Sequence, residues 1–265
     1  MREPRSQHTA YAFGDTEVAA RRLDLLAQVY GPSSRALLSA AVDGAPSLAY
    51  DLGCGPGHTT TLIAEQTRAA RTIGLDSSAA FISRARARAS VSVDFAVHDA
   101  LKMPFPAGQA GLIYCRLLLA HTANPAAAIR SWAGQLTAGG VVVVDEIEWI
   151  ATHHPLLRAH LSIVEALIAT AGGSLYAGRQ LADLADSSDL RCNLSQISRV
   201  NVSTAVAATL FAMNLAAWER RPVTLGICSE RDLAMLTAGI TELTKSNAVG
   251  EITWGMRQAA YGRTT

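Results

Sequence analysis

Directly after an apolar run, the stretch YDLGCGPGHTT (Tyr50 to Thr60) places Gly53, Gly55 and Gly57 at alternating positions. A strand that ends in a glycine turn and feeds a helix exposes backbone N–H groups where a ligand can approach without meeting a Cβ. The chemistry suited to such a turn is the binding of a nucleotide-like molecule. A G-x-G-x-x-G dinucleotide fingerprint would need a third glycine where His58 stands, so NAD is disfavoured. Further on, IGLDSS ends a second apolar run at Asp76, and an acidic residue about twenty positions after the loop is what ribose binding needs.

The elements that must hold these residues are legible from the hydrophobic pattern. TEVAARRLDLLAQVY reads as a helix that Gly31-Pro32 ends, with a second helix from about Ser34. Strand candidates follow at SLAYDLG, RTIGLD, VDFAV, AGLIYC and GGVVVVDE, alternating with helical stretches, which indicates a parallel sheet with helices on both faces. The text turns helical from His153 to Asp189, LRCNLSQISRVNV reads as a strand, and Ser203 and Ser229 are set to cap later helices. EITWGMRQAAYG closes the chain as an edge strand, so the late helices read as an insertion between the last two strands. The expected organisation is a single domain over 1–265: an N-terminal helical lid at about 10–45, a binding core at about 46–150, and helical cap segments at about 151–188 and 203–249.

Composition narrows the partners. With 49% hydrophobic and 17% charged residues the chain can fill a core, and a net charge of +1 gives no electrostatic case for nucleic acid. Cys54, Cys115, Cys192 and Cys228 form no CxxC pair and no metal-ligand spacing, so reduced thiols are expected. The N-terminus has no signal-peptide core and no run reaches membrane-spanning length, so the expectation is a cytoplasmic protein without membrane contact.

The pattern Asp51-Leu-Gly53-Cys54-Gly55-Pro-Gly57 resembles the first motif of class I S-adenosylmethionine-dependent methyltransferases, and the later motifs recur in the family's order. The resemblance implies a Rossmann-like, mostly parallel seven-stranded sheet and S-adenosylmethionine as cofactor. Asp76, with Ser77 beside it, would hold the ribose hydroxyls. VHDALKMPFP would line the adenine through the Asp99 carboxylate and the Ala100 N–H, and YCRLLLAHTANP, with Arg116, matches the fourth strand and its loop. Upstream, YAFGDTEVAARRL resembles a lead-in helix over the cofactor, where Tyr11 and Phe13 would cover the methyl-donor pocket and Arg22 would pair with the methionine carboxylate.

Methyl transfer is an in-line displacement that needs alignment, a dry pocket and at most one proton removal. His121, just beyond the fourth strand, is the leading base, since imidazole titrates near neutrality. Glu146 and Glu148 in DEIEWI are rivals, and Trp149 beside them could wall the acceptor. Tyr176, Arg179, Asn214 and Trp218 fall in the cap segments and are candidates for acceptor recognition. His153-His154 lacks metal-site spacing, so no metal is expected. The leading reading is methylation of a hydroxyl on a small, natural-product-like acceptor. Carbon or nitrogen methylation, and a methyltransferase-fold cyclase that keeps the cofactor for structure, stand as alternatives. RLLLAHTANP does not resemble the loop with which base-flipping methyltransferases grip an extruded base, which again excludes nucleic acid.

Overall fold

The computed structural model describes residues 14–186, 190–245 and 251–263. Strands β1 (Leu48–Leu52), β2 (Arg71–Asp76), β3 (Val93–Val97), β4 (Ala110–Arg116), β5 (Leu136–Ala151), β6 (Leu190–Ser203) and β7 (Glu251–Arg263) form one sheet in the order β3-β2-β1-β4-β5-β7-β6. The first five run parallel, and β7 is antiparallel to both β5 and β6. Every residue of β1 is buried, as expected of a parallel strand covered on both faces. From β1 the chain winds outward through β2 to β3, then returns to the other side of β1 as β4. Loops leaving β1 and β4 therefore diverge, and the crevice beyond their carboxyl ends is where open α/β sheets bind ligands.

Helices cover both faces. On one, Leu37 and Leu38 of α1 (Glu17–Ala41) and Ile63 of α2 (His58–Thr67) pack against Ala49, Leu112 and Val143. On the other, Ile129 and Trp132 of α4 (Pro125–Ala133) and Leu181 of a 3-10 segment (Ala177–Asp186) meet Tyr50, Leu52 and Val142. The short α3 (Ala79–Ala85) supports β3. A further apolar cluster joins α5 (Pro155–Thr170), α6 (Thr204–Trp218) and α8 (Glu230–Leu243) to the β7 tryptophan, through Leu157, Leu161, Phe211, Ile240 and Trp254. The four-residue α7 (Arg221–Thr224) connects α6 to α8. Ser203 Oγ accepts from Val206 N and Ser229 Oγ from Asp232 N, so both expected caps form.

Two elements differ from the sequence expectation. No break occurs at Gly31-Pro32: α1 is one helix with Pro32 inside it. An interior proline costs about 3 kcal/mol. Both halves find partners, with Leu26 and Tyr30 in the cap cluster and Leu37 and Leu38 against the sheet, and each buried side chain returns about 1.5–3 kcal/mol. Ser34 adds a buried hydrogen bond from its Oγ to Asp145 Oδ2 at 2.8 Å. Likewise, EITWGMRQAAYG is not an edge strand. β7 lies between β5 and β6, and Ile252, Trp254, Met256, Ala259, Ala260 and Tyr261 are all buried. The edge is β6, which is mostly exposed or half-buried in a polar alternation that suits one wet face.

Candidate active site

A cavity of about 400 Å³ opens at the carboxyl ends of the parallel strands, where the strand order reverses. Its first wall comes from three loops: Gly53 to Pro56 after β1, Asp76 to Ser78 after β2, and His98 to Leu101 after β3. Asp76 fastens two of them together. Its Oδ2 accepts from Gly55 N at 2.9 Å and its Oδ1 from Ser78 N at 2.8 Å, and each oxygen keeps a second lone pair. Burial raises the Asp76 pKa, and those two N–H groups oppose the rise. On the third loop, Asp99 Oδ1 accepts from Leu101 N at 3.0 Å and Ala100 O accepts from Trp132 Nε1 at 2.7 Å, which anchors the loop to α4.

The glycines divide their work. Gly53 and Gly55 sit at φ +66° and +53° on the cavity wall, in the left-handed region where a side chain would be strained. Gly57, at φ +90°, stands behind the wall, and a Cβ there would lie 2.8 Å from the Phe95 ring. Gly57 therefore makes room for Phe95 rather than for a ligand. Asp51 is buried behind the turn and does not line the cavity; its Oδ2 accepts from the Thr59 and Thr60 hydroxyls at 2.6 Å each, tying α2 to β1. Burial pushes its pKa up to about 6. Cys54 lines the wall, and burial keeps its thiol protonated.

Arg22, Arg116 and His121 line the middle of the cavity, and Ser77 lies at its exposed rim. Arg116 Nη1 donates to Ser34 Oγ at 3.1 Å, and its guanidinium stands 5.8 Å from the centre of the Tyr30 ring. Behind it, the buried Asp145 accepts from Ser34 Oγ, from Tyr114 Oη at 3.3 Å and from Gln258 Nε2 at 3.1 Å. Burial lowers the His121 pKa to about 4, with the Arg22 charge acting in the same direction, so the imidazole is neutral at neutral pH.

Glu146 does not reach the cavity. Its Oε1 accepts from Leu118 N and Leu119 N, both at 2.8 Å, so it braces the loop that carries His121. Burial pushes its pKa up to about 8, and its Oε2 has no hydrogen-bond partner among the described residues. Glu148 accepts from Arg257 Nε on the neighbouring strand. Trp149 is directed away from the cavity: its ring occupies the space above Gly255, with Arg199 5.6 Å from its centre. Tyr176 and Arg179 are elsewhere too, because the Arg179 guanidinium stacks 4.5 Å over the Tyr176 ring and its Nε donates to Glu148 O. Tyr176 lines a separate recess with His153 and Arg158. Among the described residues no group of three His, Cys, Asp or Glu side chains could hold a metal. Tyr11 and Phe13 lie outside the described residues.

Of the cap candidates, Asn214 lines the cavity and Trp218 packs behind it. Between them the structure adds His160, which the sequence reading passed over. Its ring is stacked on Phe211 at 3.9 Å and on Trp218 at 5.1 Å, and Asn214 Nδ2 lies 3.4 Å from its Nε2. The signal was there: Phe211, Asn214 and Trp218 share one face of α6 by their spacing, and His160 is a polar residue on the apolar face of α5.

Residues 50–144 match the family model for a methyltransferase domain. Over that span the chain is similar to the class I S-adenosylmethionine-dependent methyltransferases. The matched span carries the glycine turn, Asp76, Asp99 and His121, and it ends before the cap helices of this chain. The trans-aconitate 2-methyltransferase of Methylobacterium radiotolerans is 40% identical over 116 residues, 43% of this chain and 44% of that relative. The one from Azoarcus sp. is 33% identical over 133 residues, 50% and 47% of the two chains. The chain thus spans less than half the length of the curated relatives it matches. A putative methyltransferase from Bacillus halodurans has a TM-score of 0.57 at 16% identity, covering 87% of this chain and 98% of its own. A coclaurine N-methyltransferase bound to N-methylheliamine and S-adenosylhomocysteine gives 0.54 at 15% identity, covering 91% and 72%. At these identities the likeness to solved structures is one of fold.

Proposed function

We propose that this protein transfers the methyl group of S-adenosylmethionine to a hydroxyl oxygen of a small, natural-product-like acceptor. The observation that carries the reading is one continuous cavity that runs from the glycine turn and Asp76, past His121, to the apolar cap. The first wall fits the cofactor on its own chemistry. Asp76 offers lone pairs to a ribose diol, Asp99 an acceptor and Ala100 a backbone donor to an adenine edge, and the turn at Gly53 and Gly55, whose missing Cβ atoms make room for Leu118 and Leu23, presents backbone on the cavity wall. Arg22 would take the amino-acid carboxylate. When bound there, the cofactor supplies a methyl group on a sulfonium, open to in-line attack.

The chain's own part is alignment, dryness and one proton. α1 and the cap helices line the cavity with apolar side chains, and the drier the pocket becomes with both molecules bound, the stronger every polar contact inside. His121, neutral at working pH, holds the hydroxyl by its unprotonated nitrogen. An imidazole held near pKa 4 is a weak base, but the hydroxyl proton becomes strongly acidic as the oxygen commits its electrons to carbon, so a weak base suffices. The acceptor named for the curated relatives, trans-aconitate, is the rival substrate, carried by sequence likeness over part of the chain. The four free cysteines suit a reducing cytoplasm.

The test is calorimetric titration of the purified protein with S-adenosylmethionine, S-adenosylhomocysteine and NAD. Binding of the first two and not the third is expected. Silence toward all three from folded, ligand-free protein would sink the reading, and turnover that leaves S-adenosylmethionine intact would favour the cyclase alternative.

A further inference from the structure

The cavity changes character beyond His121. Every residue that lines it from β5 onward is apolar except Asn214, among the described residues. Leu161, Val164 and Ile168 from α5, Leu210 and Phe211 from α6 and Trp254 from β7 make most of that wall. The cations at the cavity, Arg22 and Arg116, come from α1 and β4, and Arg116 faces the buried Asp145 through Ser34. A polyanion placed against the α5 and α6 wall would leave water for a surface with no charge to meet it, a transfer that costs several kcal/mol per ion.

Asn214 is the exception that gives the wall a direction. It is 3% exposed, and its Nδ2 is turned to His160 Nε2. The stack of His160 on Phe211 and Trp218 holds that imidazole in place. Asn214 Oδ1 is left buried with no hydrogen-bond partner among the described residues. We infer that the acceptor is an uncharged, predominantly apolar molecule that docks against the α5–α6 wall, where Asn214 is the one polar side chain among the described lining residues. Its identity as the methyl acceptor rests on the proposed transfer; its chemistry rests on the wall alone.

The probe is N-phenyl-1-naphthylamine, a neutral arylamine with one N–H whose fluorescence rises in apolar surroundings, added to protein saturated with S-adenosylhomocysteine. Saturable binding is expected, with no displacement by the tricarboxylate trans-aconitate. Phe211→Ala, which removes an aromatic face of the wall, should weaken the probe at least about fivefold, while leaving S-adenosylhomocysteine affinity within error. Absence of saturable binding, or displacement by trans-aconitate, overturns the apolar acceptor, and both are read on the wild-type chain if the variant fails to fold. Equal probe affinity in a folded Phe211→Ala overturns docking against this wall. Failure of S-adenosylhomocysteine to bind is measured separately and counts against the methyl-transfer reading, since the probe can still be titrated into the unliganded protein.

Discussion

Replacing Glu146 by Gln separates a brace from a base. The carboxyl is fully buried with a pKa near 8 against 4.5 for the free group, so the folded protein holds it neutral at pH 7. A folded-state pKa above the unfolded value gives stability that is complete below the unfolded pKa and is lost as pH rises through the folded one. Between pH 5 and pH 8 that loss is on the order of 3 kcal/mol for these two values. Gln keeps the oxygen that accepts from Leu118 N and Leu119 N and has no proton to lose. Chemical denaturation at the two pH values should therefore show Glu146→Gln gaining on the wild type by about 3 kcal/mol from pH 5 to pH 8. The other buried groups, Asp51, Asp145 and His160 among them, are common to both proteins and cancel in the difference. Turnover at pH 7 should survive in Glu146→Gln and fall in Glu146→Leu, which strands two backbone N–H groups under the His121 loop. Parallel stability curves would refute the buried neutral carboxyl, and a dead Glu146→Gln with intact folding would make Glu146 the base.

Asp76→Ala removes the contact proposed for the ribose and the acceptor for Gly55 N and Ser78 N, so calorimetry should show S-adenosylhomocysteine weakened by about ten- to a hundredfold; unchanged affinity would place the ribose elsewhere. His121→Ala should lower turnover with little change in cofactor affinity. Because the His121 pKa is lowered to about 4, the wild-type rate should be flat from about pH 5 to neutrality with its acid limb near 4; a limb at the ordinary imidazole value would contradict the burial. Gly57→Ala forces a side chain to φ +90° and drives its Cβ against Phe95, at about 2–4 kcal/mol in denaturant unfolding. Gly226→Ala, with open space at its Cβ, should cost only about 1–2 kcal/mol.

Strand ends were the most legible feature of the sequence, because β1 to β4 are short apolar runs followed by polar or glycine residues at the crevice. Gly53 follows β1, Asp76 ends β2, Asp99 lies just past β3 and His121 in the loop after β4, and all four line one cavity. The residues that read poorly depend on which neighbour the chain brings back to them. Trp149 sits two residues beyond Ile147, a wall residue, but the register of β5 on β7 shifts between Ile147 and Trp149, and the ring settles over Gly255. β7 has the length and ending of an edge strand, and only the return of β6 along its far side makes it central. Pro32 looks like a stop because local propensity counts its missing N–H; what keeps α1 whole is burial at Tyr30, Ser34 and Leu37, supplied by elements far along the chain.

The pairing of β6 with β7 has a consequence for how this scaffold can change. The two strands stay paired from Leu190 against Arg263 to Ser203 against Glu251, so the chain leaves the sheet after Ser203 and re-enters it at Glu251, at adjoining positions. The entropy of closing such an excursion grows only with the logarithm of its length, about 0.6 kcal/mol per doubling. Helices α6 to α8 are thus an exchangeable cassette: a longer, shorter or differently lined set could be carried between the same two anchor points. The glycine turn, Asp76 and the His121 loop belong to other strands and would keep their positions, so selectivity can drift in the cassette while the donor end of the cavity stays as it is.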